Sequence, residues 1–482
     1  MSSEAKCSQL HICTSVRPEA TPHEIAMKAP EVGSNGVVVK ETDSPDTDPE
    51  DESNYLLESR SLINSVDQDA PRDRFQVVYC TFFLFGICSV LPWNMFITGQ
   101  QYFDYKFANT SMNGTDLRPT FESYFSVAAM VPNIIAQVLN LIVLQHRISL
   151  RVRVILPLIG MFLLFTLTTV LTRIDTREWQ LLFFGITIAS FIVISALAAI
   201  YQGSIFGVAG TLPRRYMQAI MSGQGMGGIL PSLLSISTVA GTSNPADSGF
   251  IYFLCAMVCI LVTIVAFLSL TKIKFSAYYL SRQVALTRTE TLEDSKNQFK
   301  PHKHKPPFLD IFCKIKVPAI MILLIFAVTL GLFPGTLATI KAINTSNWIW
   351  ANNYFSLVSC FLVFNTMDFV GRSLAVIQWP KAKHMTLISA LVLLRLGFFP
   401  LFAFCNVQDN PPYLLFNNDA YFIVFNVLFA FSNGYLSSLL MIYGPKLVEA
   451  KHSETAGVMM ALFFGAGLAL GSIISVPFLE IF

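Results

Sequence analysis

The sequence predicts an all-α polytopic membrane protein of eleven transmembrane helices, arranged as two bundles of six plus five. The N-terminus is placed in the cytoplasm and the C-terminus outside or in a lumen. Three observations predict this. Of 482 residues, 53% are hydrophobic and only 13% charged, with 41 Phe, too little polar surface to wrap a water-soluble core; a soluble enzyme is excluded. Apolar runs of about 20 residues recur, the length at which a helix crosses a bilayer's hydrocarbon core. Lys and Arg are shared unevenly between the loops joining those runs. The formal net charge of +2 says nothing of a partner, because charge in such a chain sets orientation.

Residues 1–74 are rich in Glu, Asp, Ser and Pro without a helical apolar period, which predicts a disordered cytoplasmic tail. It lacks the basic start and apolar core of a signal peptide, so the first span directs insertion. Eleven apolar spans follow, centred near Gly86, Pro132, Leu163, Ala196, Gly228, Val262, Ala327, Phe361, Leu394, Phe429 and Gly467. With the tail inside, inner loops hold nineteen basic residues and outer loops five. The sequons at Asn109, Asn113 and Asn344 all fall in outer loops, where glycosylation is expected. A basic stretch, 272–314, separates an N-terminal six-helix bundle, 75–271, from a C-terminal five-helix bundle, 315–482. Its His302 and His304 read as part of a solvated charge run rather than as metal ligands. Cys80, Cys88, Cys255, Cys259 and Cys360 sit in apolar runs and Cys7 and Cys13 in the tail, with no metal or disulfide spacing.

The two halves carry a faint repeat. Span four holds Gln202-Gly203-Ser204 and span ten Asn433-Gly434-Tyr435, while spans one and seven each contain a mid-membrane proline, Pro92 and Pro334, after Leu91 and Phe333. Paired interruptions at matching positions of two halves point to a transporter's central site and mark Pro92, Phe333 and Pro334 as helix-break or gating positions. No P-loop motif occurs. Gly223-Gln-Gly225-Met-Gly227-Gly228 matches the dinucleotide fingerprint but lies inside an apolar span without a preceding strand, so close helix packing explains it, as it does Gly467-Leu-Ala-Leu-Gly471. No nucleophile and base come together, and no catalytic residue, metal, cofactor or nucleic-acid partner is expected.

Polar residues at membrane depth carry the functional signal. Asn365, Asp368 and Arg372 lie at i, i+3 and i+7 of span eight, on one helical face with Phe361. A charge at a helix centre costs on the order of 3 kcal/mol, so Asp368 is expected to face the bundle interior with Arg372 one turn away, either as a packing pair or along a solute path. Gln202, deep in span four, presents a donor and an acceptor suited to a nucleobase edge or sugar hydroxyls, and equally to a bond between helices. Trp93 and Asn94 add an aromatic face and an amide beside Pro92. Trp179, Trp348, Trp350 and Trp379 fall near span ends as interface anchors. For Arg395, midway along span nine, an interhelical contact to backbone carbonyls and a functional role both stay open.

These residues resemble the equilibrative nucleoside transporter family. The matching stretches are Leu91-Pro-Trp-Asn94, Gln202-Gly-Ser-Ile-Phe-Gly207, Asp368-Phe-Val-Gly-Arg372, Phe431-Ser-Asn-Gly-Tyr435 with Gly444-Pro-Lys446, and Glu454-Thr-Ala-Gly457. The resemblance implies a major-facilitator-like fold and facilitated diffusion of nucleosides, in some members nucleobases, by alternating access of two bundles; whether flux is passive or proton-linked is left open. It further implies that Trp93, Met130 and Leu468 line a base pocket, that Gln202 bonds the base, and that Asp368 and Arg372 engage the ribose beside Asn365. Ala198 stands where some members carry Gly, which puts sensitivity to bulky nucleoside-like inhibitors in question. The acidic tail looks like that of the lysosomal member: Glu52-Ser-Asn-Tyr-Leu56-Leu57 has the acidic dileucine form that sorting adaptors read, whereas Gln202 is more like the plasma-membrane members. Late endosome or lysosome and plasma membrane therefore both remain. The alternatives are a carrier of another small solute, hexose or monoamine, and a receptor or scaffold without flux. A bilayer and nucleosides are the expected partners.

Overall fold

The computed structural model describes residues 71–98, 100–107, 111–112, 115–116, 118–176, 178–241, 245–270, 272–279, 308–346, 348–407 and 415–481. The expected tail through residue 70, with Glu52, Leu56 and Leu57, the sequons at Asn109 and Asn113, and linker residues 280–307 lie outside these.

Helices dominate the described residues. We label the long ones α1 (Val77–Thr98), α2 (Arg118–Leu139), α3 (Leu150–Arg173), α4 (Gln180–Thr211), α5 (Arg214–Gly241) and α6 (Pro245–Leu270). In the second half follow α7 (Phe308–Leu332), α8 (Val363–Leu374), α9 (Met385–Leu394), α10 (Asp419–Tyr443) and α11 (Ser453–Ile481). Asp73 opens α1: its carboxylate accepts from the backbone of Val78 and Tyr79 at 3.1 Å each and from Arg215 and Tyr216 at 3.2 Å each, joining the first helix to the start of α5. Side chains such as Ile135, Leu156, Leu163 and Val265 point outward and exposed, the inverse of a soluble protein and the arrangement lipid requires.

Ten helical runs among the described residues are long and apolar enough to cross a membrane. The expected fifth span, around Gly228, is the 28-residue α5, which is not among those ten. From Tyr216 to Gly228 it is almost wholly covered by neighbouring helices, so lipid does not demand an apolar exterior there. α7 starts at Phe308, inside the stretch expected to be linker: its 25 residues span about 38 Å, longer than the roughly 30 Å hydrocarbon core, so a charged start with Asp310 in the first turn and Lys314 in the second can project beyond it. Pro92 does not interrupt α1, which runs on to Thr98. Pro334 does lie at a break, between the end of α7 and a short helix, Gly335–Thr339.

α1 packs on α5 and α2 on α4; six helices later, α7 packs on α11 and α8 on α10. Glycines allow these approaches. A Cβ on Gly223 would strike the Phe83 carbonyl of α1, and one on Gly467 the Leu323 carbonyl of α7, so both glycine runs do serve helix packing. Two further contacts join the first half to the second: α4 and α2 against α11, and α5 against α8.

Candidate functional site

At the meeting of these helices lies a cavity of about 170 Å³. One water needs roughly 10–15 Å³ of such space, so there is room for a small organic solute. Trp93, Met130, Gln202, Asn365, Asp368, Arg372 and Leu468, drawn from α1, α2, α4, α8 and α11, all line it, as do Pro92 and Phe333; Pro334 is not among its walls. Sequence separations of hundreds of residues thus converge on one space.

One side of the cavity is a connected polar network. Arg372 Nε donates to Asp368 Oδ2 at 2.6 Å, and both side chains are about 5% exposed. The pair is not isolated, as a mere packing pair would be. Asn433 Nδ2 donates to the other Asp368 oxygen at 2.7 Å, and Arg372 Nη1 reaches Gln224 Oε1 of α5 at 3.0 Å. Gln224 in turn donates to Ser89 of α1 at 3.1 Å. Asn365 Nδ2 donates to Ser232 Oγ at 2.9 Å, a second tie from α8 to α5. A side chain on Gly228 would collide with Asn365 Oδ1, so that glycine admits the amide.

Arg395 belongs to the same network. It is 1% exposed, stacks over Phe429 with 4.7 Å to the ring centroid, and donates to the Phe429 carbonyl at 2.8 Å, to Ser432 Oγ, and to Thr329 Oγ1 at 2.7 Å. Thr329 Oγ1 lies 2.7 Å from Asn433 Oδ1, whose amide nitrogen holds Asp368. Of the two readings left open for Arg395, the contact to a backbone carbonyl is present; the residue also stands two side chains behind the cavity's carboxylate.

The rest of the lining is largely apolar, with Ser195 and several amides among it. Trp93, Met130 and Leu468 supply wall surface, and Gln202 Oε1 already accepts from Gln137 Nε2 at 3.3 Å. Gln202 is thus held between helices and also faces the cavity. Ser89, Gln224, Thr329 and Asn433 line the cavity without having been singled out as site residues. Asn433 and Gln224 sat in motifs noticed for repeat and for glycine spacing; Thr329, one small hydroxyl in an apolar run, left no signal. Asn344 is exposed, and Trp348 and Trp379 lie exposed near the ends of helical runs.

Toward Arg147, where the helical run that continues α2 beyond Leu139 ends (hereafter the Arg147 end of α2), the two halves are tied together. Arg153 donates to Glu454 at 2.8 Å, Gln145 to Thr455 at 3.0 Å, and Lys446 Nζ to the carbonyls of Gly210 and Leu212 at 2.9 and 2.8 Å.

Comparison with known proteins agrees with this geometry. A sequence model described as "Nucleoside transporter" matches residues 188–480. The chain is 36% identical to human equilibrative nucleoside transporter 1 over 454 residues, covering 85% of this chain and 98% of that protein. It is 35% identical to mouse equilibrative nucleoside transporter 2, covering 85% and 98%. Identity is 33% to rat equilibrative nucleoside transporter 3, covering 83% and 88%. Among solved structures it resembles the major facilitator superfamily proton:xylose symporter XylE, with TM-score 0.59, 12% identity and coverage of 84% and 88%. The human organic anion transporter MFSD10 gives 0.52, 12%, and 85% and 95%. At such identity these structures speak for the fold alone, and that fold is the major facilitator one.

Proposed function

The chain belongs to the equilibrative nucleoside transporter family, and we propose that it carries nucleosides across a membrane through the central cavity. It is a facilitative transporter, not an enzyme. The observation that carries the site assignment is the convergence of Trp93, Met130, Gln202, Asn365, Asp368, Arg372 and Leu468 on one space lined by both apolar and polar side chains. A nucleoside has the same division. Its base is flat and largely apolar, suiting Trp93, Met130 and Leu468, with Gln202 at the base's polar edge; its ribose hydroxyls suit Asp368 as acceptor and Arg372 as donor, beside Asn365. The network holds one carboxylate, Asp368, and two guanidinium groups, Arg372 bonded to it and Arg395 behind Thr329 and Asn433, so one positive charge is in surplus. That surplus opposes a cationic solute such as a monoamine and supports a neutral one.

Movement follows from where the ties lie. Residues 75–271 and, with α7 starting at Phe308, 308–482 act as the two bundles, joined by 272–307, and rock about the cavity. The ties Arg153–Glu454, Gln145–Thr455 and Lys446 to Gly210 hold the Arg147 side shut, and releasing them opens it. Phe333 and Pro334, where α7 ends, are positions for the accompanying bend. Purified protein in proteoliposomes preloaded with uridine is expected to accumulate labelled uridine by counterflow, with adenosine competing and glucose and serotonin not. Binding without exchange would overturn the reading in favour of a receptor.

Asn109, Asn113 and Asn344 are proposed glycosylation sites, and the tail motif with Glu52, Leu56 and Leu57 is proposed to engage sorting adaptors that deliver the protein to late endosomes or lysosomes. Leu56→Ala with Leu57→Ala is expected to move it to the cell surface without changing its exchange rate. Unchanged surface biotinylation would retire the sorting role and leave the plasma membrane as the site of action.

A further inference from the structure

α2 carries a row of amides. Asn133, Gln137 and Asn140 are spaced four and three apart, one face of a helix. At Asn140 the α-helix gives way to a π turn, Asn140–Leu144, whose wider step of five brings Gln145 onto the same face. The row begins at the cavity, where Asn133 is part of the wall, and ends beside Thr455 of α11.

Each amide has one side engaged or hemmed in and one unanswered. Gln137 Nε2 donates to Gln202 at 3.3 Å, Asn140 Nδ2 to the Ile200 carbonyl at 3.4 Å, and Gln145 Nε2 to Thr455 at 3.0 Å. Yet Asn133 Oδ1, Gln137 Oε1, Asn140 Oδ1 and Gln145 Oε1 are buried and accept from no group among the described residues; Gln137 and Asn140 are 0% exposed. A buried acceptor without a donor costs free energy, and an apolar side chain of similar size would avoid that cost. The row faces glycines. A Cβ on Gly203 of α4 would lie 2.5 Å from Asn140 Nδ2 and 2.8 Å from Gln137 Oε1, and one on Gly465 of α11 would lie 2.9 Å from Asn133 Oδ1. Below them Gly207 and Gly457 bring α4 and α11 into backbone contact. Such a contact is smooth, held at its end by the few ties that shut the Arg147 side.

We propose that Asn133, Gln137, Asn140 and Gln145 form the wall of the path by which a nucleoside leaves the cavity toward the Arg147 end of α2. This rests on the transport reading above. When α11 withdraws from α2 and α4, the four oxygens face the opened space and accept in turn from ribose hydroxyls and base N–H groups. A neutral solute rich in donors is handed along acceptors that carry no charge to trap it.

Full-length protein in proteoliposomes tests this. The double variant Gln137→Leu with Asn140→Leu is expected to melt near wild type, because losing two unanswered acceptors offsets losing the donations to Gln202 and to the Ile200 carbonyl, while uridine exchange slows by about fivefold or more. Uridine binding from the cavity's other side is expected to stay within about twofold. A structural role for the row predicts the reverse, a lower melting temperature and unaltered exchange per folded molecule; that result overturns the proposal. Should the double variant fold poorly, Asn140→Cys in inside-out vesicles decides. A membrane-impermeant maleimide is expected to label position 140 from the cytoplasmic side, more slowly under saturating uridine, and absence of labelling overturns the path. If wild-type protein itself fails to exchange uridine, the transport reading falls, whereas the labelling result still judges the path.

Discussion

Where α5 meets α8, Arg372 and Asp368 are buried and bonded to each other, and Gln224, Asn433, Thr329 and Arg395 continue the pair into one connected network in which Arg395 Nε is buried without a partner among the described residues. Where α2 and α4 meet α11, four buried amide oxygens accept nothing and the helices touch through glycine backbone. Both regions join the same two halves, and both are polar at membrane depth. The difference teaches that polarity alone does not define a site's role. A connected network in a low dielectric is stiff, since each bond holds the next in place, and so suits recognition. An unsatisfied row gains by changing its neighbour, and so suits a surface that opens.

The largest expected effect comes from breaking the connected region at its centre. Asp368→Asn or Arg372→Ala leaves a buried charge without its counter-charge, a change that costs on the order of 3–5 kcal/mol for buried pairs, and nucleoside flux is expected to vanish. Uptake per molecule of correctly glycosylated protein checks it, and normal uptake by Asp368→Asn would remove the carboxylate from the site. Next, Arg395→Met removes the charge behind Asp368 at a position that does not itself line the cavity but bonds to Thr329, which does. Thr329 and Asn433 lose their anchor, so uridine exchange is expected to fall about tenfold, with Arg395→Lys recovering part of it through one of the three acceptors. Equal exchange in Arg395→Met and wild type would confine the stiff region to Asp368 and its direct partners.

Gln202→Leu sharpens the comparison, because Gln202 is tied to the amide row through Gln137 and also faces the cavity. Affinity for uridine and adenosine is expected to fall by several-fold to about tenfold, with a base-free ribose analogue unaffected as competitor. Equal loss for all three would assign Gln202 to the row rather than to the base. The smallest effect lies outside both regions. Hydrogen bonding and charge from Lys451, and then from Lys314, hold the exposed Glu449 carboxyl below the usual carboxylate range. A depressed folded-state value stabilises the protein above the unfolded pKa, and the contribution is lost as pH falls through the folded value. For so exposed a pair it amounts to less than about 1 kcal/mol, so Glu449→Gln is expected to flatten the acid limb of the melting curve only slightly.

The all-helical membrane class followed from hydropathy because hydropathy is a property of one segment at a time. The Asp368–Arg372 pair was equally legible, since residues four apart on a helix are neighbours whatever surrounds them. The resemblance then named Trp93, Met130, Gln202, Asn365 and Leu468, and the fold placed each on one cavity. Pro92 was misleading as a break: a proline signals a missing hydrogen bond, and neighbouring helices decide whether the chain bends there. Arg395 could not be interpreted from its own span, because its partners Thr329 and Ser432 lie 66 and 37 residues away and are reached only when α7, α9 and α10 pack. The amide row is the clearest case. Asn133, Gln137, Asn140 and Gln145 are ordinary polar residues when read along the chain, and a donor is missing only relative to what α4 and α11 bring against them. Along a single helix the sequence determines which side chains share a face; which group answers each one depends on the apposed helix, so tertiary packing alone decides it.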